Sequence, residues 1–296
     1  MAAEDISMGL VGVGLLGSAI AERLASAGMH VVAFDTDPSR VNAVASSWIT
    51  PAATLAEVAT RCDRIVLSLP TSEIVAGVVE GTGGLVEGLK RGSVIIDTTT
   101  GDPESSAGLA RRLSERGITF LDATVAGSSD QLRRREVAVL VGGAEDAFDT
   151  CRDIFAAWSD RVFHTGPSGS GARTKLLVNQ VLGLNRLVLA EALALAGACG
   201  VDPARLLEIL RATPAYSRVM DTKGAKMVTG DFTPQARLAQ HRKDVGLILE
   251  LARRAGMDLP VSELHARLLD AAIEAGWGDL DNSAILRVFA KTSGKT

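Results

Sequence analysis

Cysteine is scarce: Cys62, Cys151 and Cys199 are the only three in 296 residues. They are odd in number and far apart, which argues against a disulfide framework or a zinc ligand set and fits a reducing compartment. Histidine is scarce too, and no pair among His30, His164, His241 and His265 has the H-x-x-x-H spacing of a helical metal site. No metal is therefore expected, and structural roles are expected for these imidazoles. Long basic runs are missing and the formal net charge is −4, so the chain offers no electrostatic footprint for nucleic acid or an anionic membrane. Small molecules are the expected partners. The longest apolar stretch carries Asn179, Arg186 and Glu191 within it, which argues against a membrane span. The opening "MAAEDISMGL" has acidic residues and no apolar core, so no secretory signal is visible and a cytoplasmic location is expected. Tyr216, the only tyrosine, points to nothing by itself.

What is present is a two-part pattern. The length exceeds that of a usual single domain, so two cores are expected. From Ile6 to about His164, short β-rich runs ("MGLVGV", "HVVAFD", "RIVLSL", "SVIID", "ITFLD", "VAVLVGG", "RVFHTG") alternate with helical stretches starting near Leu15, Pro38, Thr54, Ser72, Pro103 and Glu145. Such alternation builds an α/β fold, a Rossmann-type, doubly wound, mostly parallel sheet with helices on both faces. After the Gly/Ser/Pro junction "TGPSGSG" the remainder reads as helices with short breaks. The expected organisation is a dinucleotide-binding domain over 1–166 and an all-α domain over 167–296. A helix from about Ser170 to Ala198, roughly 40 Å long at 1.5 Å per residue, forms its spine.

The stretch "MGLVGVGLLGSAIAERLASAGMHVVAFDTDPSR" holds Gly12, Gly14 and Gly17 as G-x-G-x-x-G between a strand and a helix, with Asp35 ending the next strand. In that context the glycines have separate tasks. Gly12 permits the tight turn, Gly14 lets a pyrophosphate reach the backbone, and Gly17 lets helix and strand pack closely. The loop, including Leu15 and Leu16, is assigned to a nicotinamide dinucleotide whose phosphates sit at the helix N-terminus. Asp35 suits a ribose 2′-hydroxyl and repels a 2′-phosphate, favouring NAD; Arg40 keeps NADP possible. The competing role for the two acids, capping the helix at Pro38, suits Asp37 better and leaves Asp35 free.

"GSGARTKLLVNQ" places Lys175 and Asn179 four residues apart at the head of the long apolar helix, on one face. A lysine entering a core is costly unless paired or used. One reading is that Lys175 snorkels to water from the first turn; the other is that amine and amide serve one bound molecule.

With the glycine fingerprint at one end and Gly171-x-x-x-Lys175-x-x-x-Asn179 at the other, the chain resembles the β-hydroxyacid dehydrogenases, the family of 3-hydroxyisobutyrate dehydrogenase and the glyoxylate and succinic semialdehyde reductases. "SLP" at 68–70, "DTTT" at 97–100, the Lys243–Asp244 pair and "GDLDNSA" are similar to further segments of that family, in order along nearly the whole chain. The resemblance implies Lys175 as general acid/base and Asn179 as its substrate-positioning neighbour. It implies Lys243 near the nicotinamide end and Leu69, Pro70 and Thr100 at the cofactor. Residues 122–129 would face the helix of Lys175, between the domains. The chemistry is consistent: the cofactor carries the hydride but not the proton, and an amine in a partly desolvated cleft beside a cationic ring is expected to exchange that proton near neutrality.

The departure lies in the substrate loop. The family's Asp-Ala-Pro-Val-Ser-Gly-Gly is here "DATVAGSS", so Ala126 stands where a serine helps hold the substrate carboxylate, followed by Gly127 and Ser128. Thr124, Ser128, Gln131, Arg135, Glu136 and Val137 also depart from the family pattern. Backbone N–H groups near Gly127 and Ser128 remain candidates for an anion cradle. Arg133, Arg134 and Arg135 either grip the anion or form a solvated face. Asp281 and Ser283 are read as a helix cap or a functional pair. The expected activity is interconversion of a small 3-hydroxy acid and its semialdehyde. Imine reductase-like chemistry, disfavoured by Lys175, and an idle dinucleotide-binding scaffold are the alternatives. The exposed length of the apolar helix suggests a homodimer or homotetramer.

Overall fold

The computed structural model describes residues 7–290 of the chain. It divides into two compact units between Lys175 and Leu176. The first is built on a sheet of eight strands: β1 (Ser7–Val11), β2 (His30–Phe34), β3 (Ile49–Pro51), β4 (Arg64–Leu67), β5 (Val94–Asp97), β6 (Thr119–Ala126), β7 (Ala138–Gly142) and β8 (Val162–Gly166). Their order is β3-β2-β1-β4-β5-β6-β7-β8. All neighbours are parallel except β6 and β7, which pair antiparallel with Asp122 opposite Gly142. The order reverses between β1 and β4, the switch point at which open α/β sheets bind ligands beyond their strand ends.

Strands such as "RIVL" and "VIID" are apolar on both faces because helices cover both. These are α1 (Leu15–Ser26), α2 (Pro38–Val44), α3 (Leu55–Arg61), α4 (Ser72–Glu80), α5 (Pro103–Glu115), α6 (Ser129–Arg133), α7 (Glu145–Thr150) and α8 (Arg152–Trp158). On one face Ile20, Leu24, Phe155 and Trp158 fill the core; on the other Val58, Leu85, Leu113 and Phe120 do. Local chemistry sets where the helices begin. Asp37, Thr54, Thr71 and Asp102 each accept a backbone N–H at a first turn, and Pro38 and Pro103 occupy first helical positions. Helix α1, like α7 and α8, has no side-chain cap; its N-cap is Gly14 at the glycine turn, and a helix start left uncapped can receive an anion.

The long helix α9 (Ser170–Ala198) starts in the first unit and continues into the second, with the boundaries the sequence pattern predicts. The second unit continues with α10 (Pro203–Arg211), a π-helical turn Met220–Gly224, α11 (Ala225–Thr229), α12 (Leu238–Arg254), α13 (Pro260–Glu274), a 3₁₀ turn Asn282–Ile285 and α14 (Leu286–Ala290). Leu189, Leu193, Leu207, Leu238, Val245, Leu269 and Ile285 form its core. By length and composition α9 alone, among the described residues, would pass for a membrane span. It buries the charged Arg186, while Leu177, Val181, Val188 and Leu195 along it stay exposed.

Candidate active site

The turn after β1 is shaped by contacts only glycine allows. Gly12 has φ +93°, and a Cβ there would lie 2.3 Å from the Ser68 carbonyl oxygen. A Cβ on Gly17 would lie 2.0 Å from the Gly12 carbonyl oxygen, whereas one on Gly14 would meet nothing within 4 Å. The turn is thus closed on the sheet side and open at the helix start, which fits a pyrophosphate approaching the backbone. Leu15, beside Gly14, is exposed, and Leu16 packs against the core.

Asp35 leaves the cap of α2 to Asp37, as the sequence reading expects, but its carboxylate is engaged elsewhere. Its Oδ2 accepts the Val13 N–H at 2.7 Å and its Oδ1 accepts the Asp37 N–H at 2.9 Å. The carboxylate therefore braces the glycine turn from the end of β2, with lone pairs left for a further donor. Asp37 takes the capping role, accepting the Ser39 N–H at 3.1 Å. Arg40 Nη1 lies 3.9 Å from Asp35 Oδ2, and its Nε lies 3.4 Å from Asp37 Oδ2.

Leu69, Pro70 and Thr100 follow the ends of β4 and β5, on the same sheet edge as the glycine turn. Two hydroxyls that sequence reasoning passed over tie these ends together: Thr98 Oγ1 donates to the Leu67 carbonyl at 2.7 Å, and Thr99 Oγ1 accepts the Leu69 N–H at 3.2 Å.

Ala126 ends β6, and the segment after it is more committed than expected. A Cβ on Gly127 would lie 2.5 Å from Val137 Cγ1. Ser128 caps α6 in a reciprocal box with Gln131: its N–H donates to Gln131 Oε1 at 2.9 Å, while its Oγ accepts the Gln131 N–H at 3.2 Å. The Ser128 N–H is thus spent on the cap, which corrects its assignment to an anion cradle. The three arginines are spent as well. Arg133 pairs with Glu22 and Asp130, Arg134 with Glu136, and Arg135 with Asp160. They form the solvated face.

Lys175 retains 6% of its surface exposed, so it does not snorkel to water. Asn179, one turn further along α9, is equally buried, and its Nδ2 donates to Asp244 Oδ2 at 3.0 Å. Lys243 Nζ lies 3.3 Å from the other oxygen of Asp244. Asp244 was noted in the sequence only as half of a Lys-Asp pair; its hold on the Asn179 amide spans 65 residues and left no local signal. A second carboxylate, Asp122, was named in the sequence only as the first residue of the loop expected to face the helix of Lys175. Asp122 accepts the Gly169 N–H at 2.7 Å and the Ala172 N–H at 2.8 Å, at the start of α9. Burial raises its carboxyl above the usual range, and these backbone donors pull it back.

The histidines have structural surroundings. His164 Nε2 lies 2.8 Å from the Gly143 carbonyl. His241 and His265 pack together against Gly183 in the second unit. Burial, with the charges of Arg186 and Arg242, pushes His265 down to about 4. Among the described residues no group of three or more His, Cys, Asp or Glu is placed to hold a metal. Asp281 is both cap and ion-pair partner, accepting the Ser283 N–H at 3.1 Å and two contacts from Lys223 Nζ at 2.9 and 2.8 Å.

The glycine turn at a sheet switch point fits a dinucleotide-binding protein, and comparison with known proteins makes the class an NAD(P)-dependent oxidoreductase acting on a CH–OH group. Residues 7–166 match the family model described as the NAD-binding domain of 6-phosphogluconate dehydrogenase. Residues 169–289 match that described as the NAD-binding of NADP-dependent 3-hydroxyisobutyrate dehydrogenase. The chain belongs to the β-hydroxyacid dehydrogenase family. It is 30% identical to 2-(hydroxymethyl)glutarate dehydrogenase of Eubacterium barkeri, over 98% of this chain and 97% of that protein. It is 29% identical to L-threonate dehydrogenase of Cupriavidus necator, over 96% of each. A crystal structure of a 3-hydroxyisobutyrate dehydrogenase from Salmonella typhimurium superimposes with a TM-score of 0.89 at 24% identity, covering 96% of this chain and 100% of that one; this likeness shows the fold.

Proposed function

We propose that the protein is an NAD-preferring dehydrogenase that interconverts a small 3-hydroxy acid and the corresponding semialdehyde, with residues 1–166 binding the dinucleotide and Lys175 as general acid/base. The observation that carries this reading is a lysine buried at the head of α9, one turn before a buried asparagine whose amide is already held by a carboxylate. The nicotinamide, when bound, accepts the hydride from the carbinol carbon or returns it. In the oxidation direction the neutral Lys175 amine takes the hydroxyl proton as the C–O bond becomes a carbonyl; in reduction the ammonium gives it back. Asn179 has one Nδ2 proton committed to Asp244, which fixes the orientation of its amide toward substrate. Gly12, Gly14, Leu15, Leu16 and Gly17 receive the pyrophosphate, Asp35 the ribose, and Leu69, Pro70, Thr100 and Lys243 the nicotinamide end.

Support for the substrate class comes from the relatives, whose names specify small hydroxy acids: 2-(hydroxymethyl)glutarate, L-threonate and, in the human mitochondrial enzyme, 3-hydroxyisobutyrate. The Ala126–Gly127–Ser128 segment offers the substrate carboxylate no hydroxyl at Ala126 and no Ser128 N–H, so the preferred acid differs from one gripped there by a serine. The active protein is expected to be a homodimer or homotetramer. A panel of small hydroxy acids and aldehydes, followed by nicotinamide absorbance with NAD(H) and NADP(H), tests the reading. Turnover of at least one 3-hydroxy acid, faster with NAD, supports it. NADH binding without turnover of any panel member contradicts it.

A further inference from the structure

The first turn of α9 has an unusual problem. Gly169, just before it, stands where a capping side chain would be placed, yet its φ is +90° and a Cβ would lie 2.5 Å from the Pro103 carbonyl oxygen. No serine, threonine or aspartate fits there, so the helix cannot be capped locally. The cap arrives from another element. Asp122 on β6, 47 and 50 residues upstream, accepts the Gly169 and Ala172 N–H groups, one on each carboxylate oxygen. Two residues along the same strand, Thr124 Oγ1 donates to the Gly171 carbonyl at 3.2 Å.

The backbones meet with no room between them. A Cβ on Gly171 would lie 2.3 Å from the Asp122 carbonyl oxygen, and one on Gly142 would lie 2.7 Å from both Asp122 Oδ1 and the Gly171 nitrogen. Donor, acceptor and steric contacts therefore fix the first turn of α9 in rotation and translation on the β6–β7 pair. Lys175 follows Gly171 by one helical turn. Beyond Thr124 the same strand ends at Ala126, where the 126–128 segment begins.

We propose that Asp122 is the positioning residue for the proton-transferring lysine, with Thr124 as its second tie, so that one strand sets both the Lys175 amine and the start of the 126–128 segment. This rests on the reading of Lys175 as acid/base. Both carboxylate oxygens are needed, because asparagine supplies one acceptor and turns an NH₂ toward a backbone N–H. A carboxylate also complements the positive end of the helix, which a neutral amide does not. Proton transfer depends on sub-ångström placement, whereas nucleotide binding at the glycine turn involves none of these contacts.

The test compares Asp122→Asn, Thr124→Val and Thr124→Ser with Lys175→Ala, measuring kcat, substrate KM and the Kd for NADH. Asp122→Asn is expected to lower kcat about tenfold or more with the NADH Kd unchanged within about twofold, as loss of alignment predicts. Should that variant fail to fold, the threonine pair carries the test: Thr124→Val lowers kcat several-fold and Thr124→Ser, which keeps the hydroxyl, regains most of the loss. Wild-type kcat in Asp122→Asn would overturn the proposal, as would a kcat loss matched by weaker NADH binding, or equal kcat in both threonine variants. An inactive Lys175→Ala beside a fully active Asp122→Asn removes only the positioning role; an active Lys175→Ala removes both readings.

Discussion

Asp35 braces the glycine turn and is proposed to meet its ligand as well. Its two oxygens already accept backbone N–H groups from Val13 and Asp37, and it closes the strand beside which the ribose is proposed to lie. Asp35→Ala therefore removes a brace as well as a ribose contact. Its NAD affinity should fall about tenfold, the scale of one or two charge-assisted hydrogen bonds, and its NAD over NADP preference should narrow. Titrating both cofactors against the variant checks this; an unchanged preference would remove Asp35 from the ribose. Residues whose task is set by near neighbours were legible in the sequence. Gly12, Gly14 and Gly17 announce their turn by spacing, and Lys175 and Asn179 share a face by arithmetic. Asp122 and Asp244 were not legible as site residues, because their partners lie about 50 and 65 residues away and become neighbours only through the sheet and the helical bundle. The commitment of Ser128 to Gln131 was visible in principle as S-x-x-Q, but it passed unnoticed beside a family pattern that suggested an anion loop.

At the scale of elements, strong periodicity carried through and short pieces did not. The run from Ser170 to Ala198 is long enough for its pattern to decide it, and its boundaries match the structure. Strand β3 has three residues ending in proline at the sheet edge, and α6 has five between β6 and β7; neither gives a periodic signal. The π-helical turn Met220–Gly224 was equally silent, yet it carries Lys223 to the fully buried Asp281. Burial alone would raise the Asp281 carboxyl. The charge and hydrogen bonds of Lys223, aided by the Gln235 N–H and the Ser283 hydroxyl, outweigh it and hold the group at about 2. A carboxylate depressed in this way contributes stability that is fully present above its ordinary value of 3.8 and is lost as pH falls toward 2. That contribution is about 2 kcal/mol. Denaturant unfolding of wild type and Asp281→Asn should differ by a constant amount above about pH 5 and converge in stronger acid. A gap that persists unchanged to the lowest pH would show that the pair's charge is not what matters.

Over the whole molecule, the change of composition near "TGPSGSG" signalled two parts expected to meet at 166/167, whereas the compact units divide between Lys175 and Leu176. What each part leaves exposed gave no such signal. In the second unit Leu177, Val181, Val188 and Leu195 lie on α9 at intervals of four and seven residues, and each is at least half exposed. Such spacing draws one apolar stripe along the helix, the surface on which the expected homo-oligomer depends. Light scattering should report a dimer or larger species, and Val188→Glu should shift it toward monomer; a monomeric wild type would dispose of the assembly.

The account as a whole turns on the amine of Lys175, and single-turnover hydride transfer by Lys175→Ala, saturated with NADH and a substrate the wild type reduces, tests it most directly. The account predicts a rate lower by about a hundredfold or more, the usual contribution of a positioned acid or base, with NADH binding retained. A rate within a few-fold of wild type would contradict it.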